Sequence, residues 1–537
     1  MTSPWASVSR AGSWITGTLL ISLAWASASS GFWSETQSIF IGDHLRPYLQ
    51  IQTLFNGGLD SVPRLSRLPS LFPDYLDALI TSGLRTDINQ WMFASSLLNG
   101  AWLSCSGALF VSQITKRSFW SCCLLSSIAI VAISAWIPQF GGAAGLATMP
   151  IHHGGNITAT FLAWAWIAYQ AEKPWRSFTA IATICGASLF SFDNLFFLIT
   201  FLLPLTTLSI ANAALNRKKI QATHKNWPRL CLTSTLGCLL GYILLSAVPT
   251  ECRNSLTANL SILTESIKLH SSLDPKEGSP LLLLCGLAYA ASLFTSFRNR
   301  ESDQATMLLI GSALGSALTI ASLTYISDHR LNSAKYILLP LLISPFLLST
   351  SALFLSEKAW TTRRDISNKL SRVFSITAAT ILISLCLPAV QASQSLASQW
   401  QPKTALLQLN DGQEHFYLVD SSLDPLQIEL FSGGSIRTLP IASDGNPWLW
   451  HYSKSDLNVA LRAGGPEAII RKTAIEPEFV DRFVQRYGEL EITPASSHEG
   501  LVSYRFENPS LAMSRLQTLV SRSSTIGCDG FQSQPLS

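Results

Sequence analysis

The chain has 537 residues, of which 48% are hydrophobic and only 13% are charged. Soluble domains carry about 25% charged residues, so this composition excludes a disordered protein, a disulfide-rich mini-protein and an ordinary cytosolic enzyme. The net charge of +4 combines two unlike parts: residues 1–392 carry 26 Lys and Arg against 17 Asp and Glu, whereas residues 393–537 carry 11 against 16. The sequence thus predicts a cationic, apolar body followed by a mildly acidic, polar C-terminal region.

Apolar runs of membrane-spanning length recur through the body, since a spanning helix needs about 20 apolar residues. The first run could be a signal peptide, but no clean small-residue cleavage site leads into a soluble domain, so we interpret it as a retained helix. The predicted fold class is a polytopic α-helical membrane protein with about 11 spans, namely 13–33, 89–114, 119–137, 154–170, 176–191, 195–213, 230–248, 279–297, 305–325, 336–356 and 373–392.

Basic residues orient these spans. With the N-terminus in the cytoplasm, the inner connections total 49 residues and hold 16 Lys and Arg, whereas the outer connections total 114 residues and hold only 9. Positive charge resists translocation, so the basic side is predicted to stay inside. Because the number of spans is odd, the region from about residue 393 is expected on the outer side.

The long first outer loop, 34–88, is too apolar for a disordered linker. Its stretches 43–55 and 68–79 have apolar residues at helical spacing, and both are predicted to lie flat on the membrane with the apolar face down. Asp43 follows the first span closely, where a carboxylate can keep a raised pKa and act as a general base. The alternative is that Asp43 caps the flat helix, and one residue can do both.

Two further polar clusters come before the middle of the chain. Adjacent His152 and His153 precede two glycines at the outer entry of the fourth span, where they could bind a phosphate or a metal ion. The alternative is a glycine-rich turn with an interfacial histidine. Asp193 stands between two apolar runs, at the predicted tip of a tight outer hairpin, and an ionisable group there usually has a partner or a task. A simple Asp-Asn turn explains it nearly as well.

The short outer loop 327–336 collects charged and aromatic side chains against the orientation bias. An anionic head group is the obvious ligand, since Arg offers a bidentate fork for phosphate and Lys a point charge. The alternative is a solvated hairpin tip. The residues concerned are Asp328, His329, Arg330, Lys335 and Tyr336.

The C-terminal region, 393–537, is predicted to be a small α+β domain on the outer side. Strand-like stretches are 414–419, 426–431 and 501–506, and helical stretches are 476–487 and 509–521. Of the ten cysteines, Cys252 and Cys528 fall in predicted outer segments, and the sequence leaves open whether they are bridged.

This layout resembles the GT-C class of integral membrane glycosyltransferases, which have many spans, a long first outer loop with flat helices and an acidic residue near its start. A group of bacterial polytopic proteins is also similar in the order of its motifs. Those motifs are Asp43, the Pro-Ser-x-Phe-Pro-Asp stretch 69–74, His153-Gly154, Asp193 and Lys335-Tyr336, with a tail similar to 483–488 and 501–506.

The resemblance implies transfer of a sugar from a polyprenyl-phosphate donor to a glycan or envelope-protein acceptor at the bacterial inner membrane. The N-terminus would be cytoplasmic and the C-terminal domain periplasmic. Asp43 would be the catalytic base, and a divalent metal is left open because His44 replaces a second acidic residue. The implied substrate-binding residues are His44, Arg67, Asp74, His152, His153, Asp193, Asp328, His329, Arg330, Lys335 and Tyr336.

Other functional classes compete with this one. A non-enzymatic scaffold would anchor the C-terminal domain in an envelope complex, with the aromatic stretch 446–452 as its interface. The alternative is that this stretch forms the buried core of a hairpin. A transporter is disfavoured because the charges gather in outer loops and not at mid-span. Nucleic acid is not expected as a partner, since no basic domain with interleaved aromatic residues is present and the C-terminal region is net negative.

Overall fold

The structure is a computed structural model. It describes residues 4–30, 42–57, 71–137, 140, 144–145, 154–194, 196–215, 226–247, 275–298, 303–326, 334–360, 364–397, 415–420, 425–433, 435–441, 445–447, 467–471, 477–492 and 501–522.

Apolar segments of the body form helices, and the described residues of all eleven apolar ranges predicted from the sequence fall almost entirely on them. Single-turn π segments, Leu71–Tyr75 and Leu198–Leu202, lead directly into α3 and α8. The helices are α1 (Pro4–Ala28), α2 (Gly42–Gly57), α3 (Leu76–Ile80), α4 (Ile88–Thr115), α5 (Phe119–Trp136), α6 (Gly154–Ala171), α7 (Ser177–Asp193), α8 (Leu203–Leu215), α9 (Trp227–Ala247), α10 (Pro275–Arg298), α11 (Asp303–Ile326), α12 (Ala334–Trp360) and α13 (Arg364–Ala397).

Helix boundaries follow local chemistry. The Asp87 carboxylate accepts a hydrogen bond from the Gln90 N–H at the start of α4, and the Ser118 hydroxyl accepts one from Ser121 N at the start of α5. These are N-caps, which satisfy backbone donors that the first turn leaves free.

Four helices in the described part of the chain are long and apolar enough to cross a membrane: Ile88–Thr115, Phe119–Trp136, Trp227–Ala247 and Val373–Ser395 within α13. Several shorter apolar helices accompany them, and α9 and α13 expose large side chains such as Leu232, Ile243, Phe374 and Leu385. Such exposed apolar faces suit lipid better than water. The protein is therefore helical with apolar helices consistent with membrane association, and the count of eleven spans stays a prediction.

A five-stranded sheet follows the helical body. Its strands are β1 (His415–Asp420), β2 (Ile436–Ile441), β3 (Glu467–Arg471), β4 (Leu490–Ile492) and β5 (Leu501–Phe506), in the order β2-β1-β3-β5-β4. β1 pairs in parallel with β2 and β3, whereas β5 pairs antiparallel with β3 and β4. Three helices accompany the sheet: α14 (Pro425–Phe431), α15 (Pro477–Tyr487) and α16 (Pro509–Arg522).

Most sequence predictions for this region are confirmed, namely the strands at 414–419 and 501–506 and both helices. The predicted strand at 426–431 is wrong, because these residues form α14. β1 and β2 are parallel neighbours, and parallel strands need a crossover connection, which α14 supplies. The predicted boundary at residue 393 falls within the last turns of α13, and the domain division stays a prediction.

The prediction for α2 is half right. Residues 43–55 are helical, but the apolar face of α2 does not lie against open membrane. Leu45, Tyr48 and Leu49 are buried against Trp91 of α4 and Leu430 of α14, in one hydrophobic core. Protein side chains occupy the face that was assigned to lipid.

Candidate functional site

Asp193 holds the first loop against the helical body. It ends α7, and its Oδ1 accepts hydrogen bonds from the backbone N–H groups of Leu71 and Phe72, the latter at 3.3 Å. A buried carboxylate is costly unless donors surround it, and Asp193 is only 5% exposed. The residue therefore fixes where the segment 71–80 begins.

In segment 71–80 the acidic side chains face the protein interior and the apolar ones face outwards, which is the reverse of a surface helix in water. Asp74 and Asp77 are buried, whereas Leu76, Leu79 and Ile80 are exposed. Helical spacing of three residues places the two carboxylates on one side. This orientation is the one expected of a helix with its apolar face against lipid and its charges over a polar interior.

Donors from α4 pair with both carboxylates. Asn99 Nδ2 donates to Asp74 Oδ1 at 3.0 Å, and Trp102 Nε1 donates to Asp77 Oδ1 at 2.9 Å. Trp91 Nε1 donates to the carbonyl oxygen of Ala78 at 2.8 Å. Because Trp91, Asn99 and Trp102 recur at helical spacing on α4, one face of that helix supports the whole segment.

Tyr75 is the point at which three elements meet. Its hydroxyl donates to Gln50 Oε1 of α2, and Arg46 of α2 hydrogen-bonds to it as well. Burial raises the pKa of Tyr75 above its ordinary value, the Arg46 guanidinium lowers it, and the carboxylates Asp74 and Asp193 raise it. α2, the first-loop segment and the end of α7 therefore share one electrostatic environment.

The Asp77 carboxylate is only partly hydrogen-bonded in this environment. It is fully buried, and within the described residues its Oδ2 has no hydrogen-bond partner. Burial raises the pKa of Asp77 to about 8, although the hydrogen bond from Trp102 opposes the rise. A carboxyl group with such a pKa is mostly protonated at neutral pH.

Gly155, near the start of α6, packs directly on this segment. A Cβ at Gly155 would lie 2.7 Å from Pro73 Cδ and 3.1 Å from the Phe72 carbonyl oxygen, so a larger residue would push the loop away. The glycine pair that follows His153 in the sequence is therefore explained in part by close packing.

The structure brings together two of the predicted site residues, Asp74 and Asp193, around Tyr75. Asp43 and His44 lie in the first turn of α2, and Asp43 is one turn before Arg46. Lys335 and Tyr336 lie in the first turn of α12. The other predicted site residues lie outside the described residues, namely Arg67, His152, His153, Asp328, His329 and Arg330. Cys252 and Cys528 lie outside them as well.

Sequence reasoning missed several members of this cluster. Arg46 and Gln50 share a helix face with Asp43 at spacings of three and four residues, and that pattern was available as a signal. Asn99 and Trp102 gave no signal, because they lie within an apolar helix where polar side chains commonly serve packing. Asp77 was visible only as one of several acidic residues in the loop.

The sequence left open whether a divalent metal binds. Over the ranges that the structure describes, no group of three or more His, Cys, Asp or Glu side chains is arranged to hold a metal ion. Arg46, which is buried in the cluster, also places a positive charge where a cation would otherwise be favoured.

Comparison of the chain with protein-family models, with curated proteins and with solved structures found no match. Evidence for a function therefore comes from the chemistry of the cluster around Tyr75.

Proposed function

We propose that the protein transfers a sugar from a polyprenyl-phosphate donor to an acceptor hydroxyl at the membrane surface. The observation that supports this best is the segment 71–80, which has exposed leucines on one side and buried Asp74 and Asp77 on the other, with half-buried Tyr75 between them. A lipid-linked sugar has the same division, an isoprenoid chain joined to a polar head.

In the proposed reaction, the acceptor oxygen attacks the anomeric carbon while the bond between that carbon and the phosphate oxygen breaks. Asp43 takes the proton of the acceptor hydroxyl as general base. The polyprenyl phosphate that leaves needs cationic partners on the opposite face of the sugar. We assign this role to Arg330 and Lys335, with Arg67 or His153, and add Arg46, whose guanidinium lies in the cluster around Tyr75.

The remaining parts of the proposal concern placement. The distribution of Lys and Arg supports an orientation with the N-terminus in the cytoplasm of a bacterium and the C-terminal region in the periplasm. The packing of α14 on α2 supports a C-terminal region that covers the site and helps to bind a glycan or envelope-protein acceptor.

The test is sugar transfer in membranes that contain the protein, with a panel of radiolabelled polyprenyl-phosphate sugars. Asp43→Asn should lower the rate by about a hundredfold or more, because general base catalysis contributes at least that much. Lys335→Ala and Arg46→Gln should lower it as well, since each removes a phosphate contact. Glu507→Gln, at an exposed carboxylate next to β5, is the matched control and should be fully active. Full activity in both Asp43→Asn and Lys335→Ala would end the assignment.

A further inference from the structure

A cavity of about 430 Å³ lies between α4, α6, α7, the π segment before α8, and α9. This volume falls within the range of small-ligand sites. Its wall is mostly apolar and includes Leu109, Trp166, Tyr169, Gly186 and Phe190. A space with such a wall suits a hydrocarbon chain.

The few polar groups on the cavity wall are compatible with a hydrocarbon ligand. Trp166 Nε1 donates to Thr183 Oγ1 at 2.9 Å, so both groups are satisfied without a ligand. Ser234 is fully buried on the wall, and among the described residues its hydroxyl has no hydrogen-bond partner. Gly186 leaves open space, because a Cβ there would meet nothing within 4 Å.

One end of the cavity lies at the ends of α4 and α6 that are remote from Asp193. On α6 its lining residues run from Leu162 to Tyr169, in the second half of the helix, and on α4 they are Leu109 and Gln113, in the last two turns. On α7 the lining runs from Ala182 to Phe190, one turn before Asp193, and the Phe190 ring centre lies 6.0 Å from that of Phe72. The cavity therefore extends from the neighbourhood of Asp193 to the opposite ends of α4 and α6, and the candidate sugar-transfer residues lie at only one of its ends.

Basic side chains surround the helix ends nearest to the cavity. Lys173 Nζ lies 5.2 Å from the centre of the Tyr169 ring, which lines the cavity, and the Arg229 guanidinium lies 5.8 Å from the Trp175 ring. Arg176 is exposed beside them. The carboxylate of Glu172 is paired with Lys116 at 2.8 Å, so it does not neutralise the other cations.

We propose that this cavity binds one acyl chain of an anionic phospholipid, whose head group lies on Lys173, Arg176 and Arg229. Basic pockets between membrane helices attract anionic head groups, and each Lys or Arg near the surface adds to the attraction. The apolar wall selects a lipid chain, and the charge at the adjacent end selects the sign of its head group. This lipid is distinct from the polyprenyl-phosphate donor, whose head would lie at the end marked by Asp193.

The experiment is native mass spectrometry of the full-length protein in detergent, with equimolar phosphatidylglycerol and phosphatidylcholine of identical chains. The wild type should retain phosphatidylglycerol in preference, by about tenfold or more. Gly186→Leu fills the cavity and should abolish retention. Gly286→Leu is its control, because Gly286 of α10 also has open space around its Cα but does not line the cavity.

A second variant separates the head group from the chain. The triple change Lys173→Gln, Arg176→Gln and Arg229→Gln affects exposed residues only, so folding should be preserved. It should remove the preference for phosphatidylglycerol while some lipid of either kind is still retained. Equal retention of both lipids by the wild type, unchanged retention in Gly186→Leu, or displacement of phosphatidylglycerol by an equimolar polyprenyl phosphate would each overturn the proposal.

Discussion

Individual carboxylates explain how the segment 71–80 is placed. Asp193 binds its first backbone N–H groups, Asp74 accepts from Asn99, and Asp77 accepts from Trp102. A buried acid that loses its donor costs more free energy than the hydrogen bond alone contributes, because the desolvation penalty remains. Each pair therefore specifies the position of the segment more than it adds to net stability.

Asp77 should make the stability of the protein depend on pH. Its pKa rises from 3.8 to about 8 in the folded protein, so the folded state binds the proton more tightly than the unfolded chain does. The free energy of unfolding should then fall between about pH 4 and about pH 8, by up to about 1.4 kcal/mol per pH unit. Asp77→Asn keeps an oxygen that can accept the hydrogen bond from Trp102, and it removes the titratable carboxyl group. The melting temperature of the variant in detergent should exceed that of the wild type by a margin that grows from about pH 5 to about pH 8.

The control for this prediction is Asp481→Asn, at an exposed carboxylate on α15, which should track the wild type at every pH. A constant difference between Asp77→Asn and the wild type across the range would contradict a raised pKa.

For single residues, the sequence indicated which positions are important but not which groups they contact. Asp193 could be singled out because it interrupts an apolar stretch, where an ionisable group needs a reason. That its partners are the N–H groups of Leu71 and Phe72, more than a hundred residues away in the chain, follows only from the tertiary arrangement. The spacing of Arg46 to Asp43 and Gln50 was a signal in the sequence, but its hydrogen bond to Tyr75 follows only from the tertiary arrangement.

Among the helices, α7 and α9 make an especially close contact. Gly237 and Gly241 of α9 form a GxxxG pattern, which lets two backbones approach. A Cβ at Gly237 would lie 2.5 Å from the Ile184 carbonyl oxygen, and one at Gly241 would meet Ser191 and the Ser188 carbonyl oxygen. Ser191 Oγ also donates to the Cys238 carbonyl oxygen at 3.2 Å, which ties the two helices together.

Gly241→Ala should separate α7 from α9. The added methyl group would meet backbone atoms of α7 that cannot rotate away, and overpacking of this kind costs about 1 to 3 kcal/mol. The melting temperature in detergent should fall, and the same substitution at Gly286 of α10, where the space is open, should have little effect. Equal melting temperatures for the two variants would show that the helices do not pack as closely as described.

The elements were predictable where one physical signal dominated. Apolar length alone located eleven helices, because a long hydrophobic run has few other folds available. The prediction of a strand at 426–431 was wrong because apolar residues alternate there, as they do in a strand. In the structure these residues form α14, which has buried residues on more than one side. Its identity as a crossover depends on β1 and β2 being parallel, and local sequence does not contain that information.

For the molecule as a whole, α2 joins two parts of the chain that the sequence suggested were separate. Its buried face packs on α4 of the helical body, and on α14 beside the sheet. Arg46 and Gln50 of the same helix contact Tyr75, which lies close to Asp193 at the end of α7, and Asp43 is in the first turn of this helix. The C-terminal region is thus positioned to stabilise the proposed catalytic helix, and a loss of their contact should be felt at the site.

Leu430→Glu tests that connection. Leu430 of α14 is fully buried in the core shared with Leu45 and Leu49, and an unpaired carboxylate there would cost several kcal/mol. Amide hydrogen exchange over Gly42–Gly57 should accelerate by about tenfold or more, which corresponds to about 1.4 kcal/mol. Leu511→Glu, at an exposed position on α16, should leave that exchange unchanged. If α2 remained equally protected in Leu430→Glu, its order would come from the helical body alone, and the C-terminal region would have to act on the site by another route.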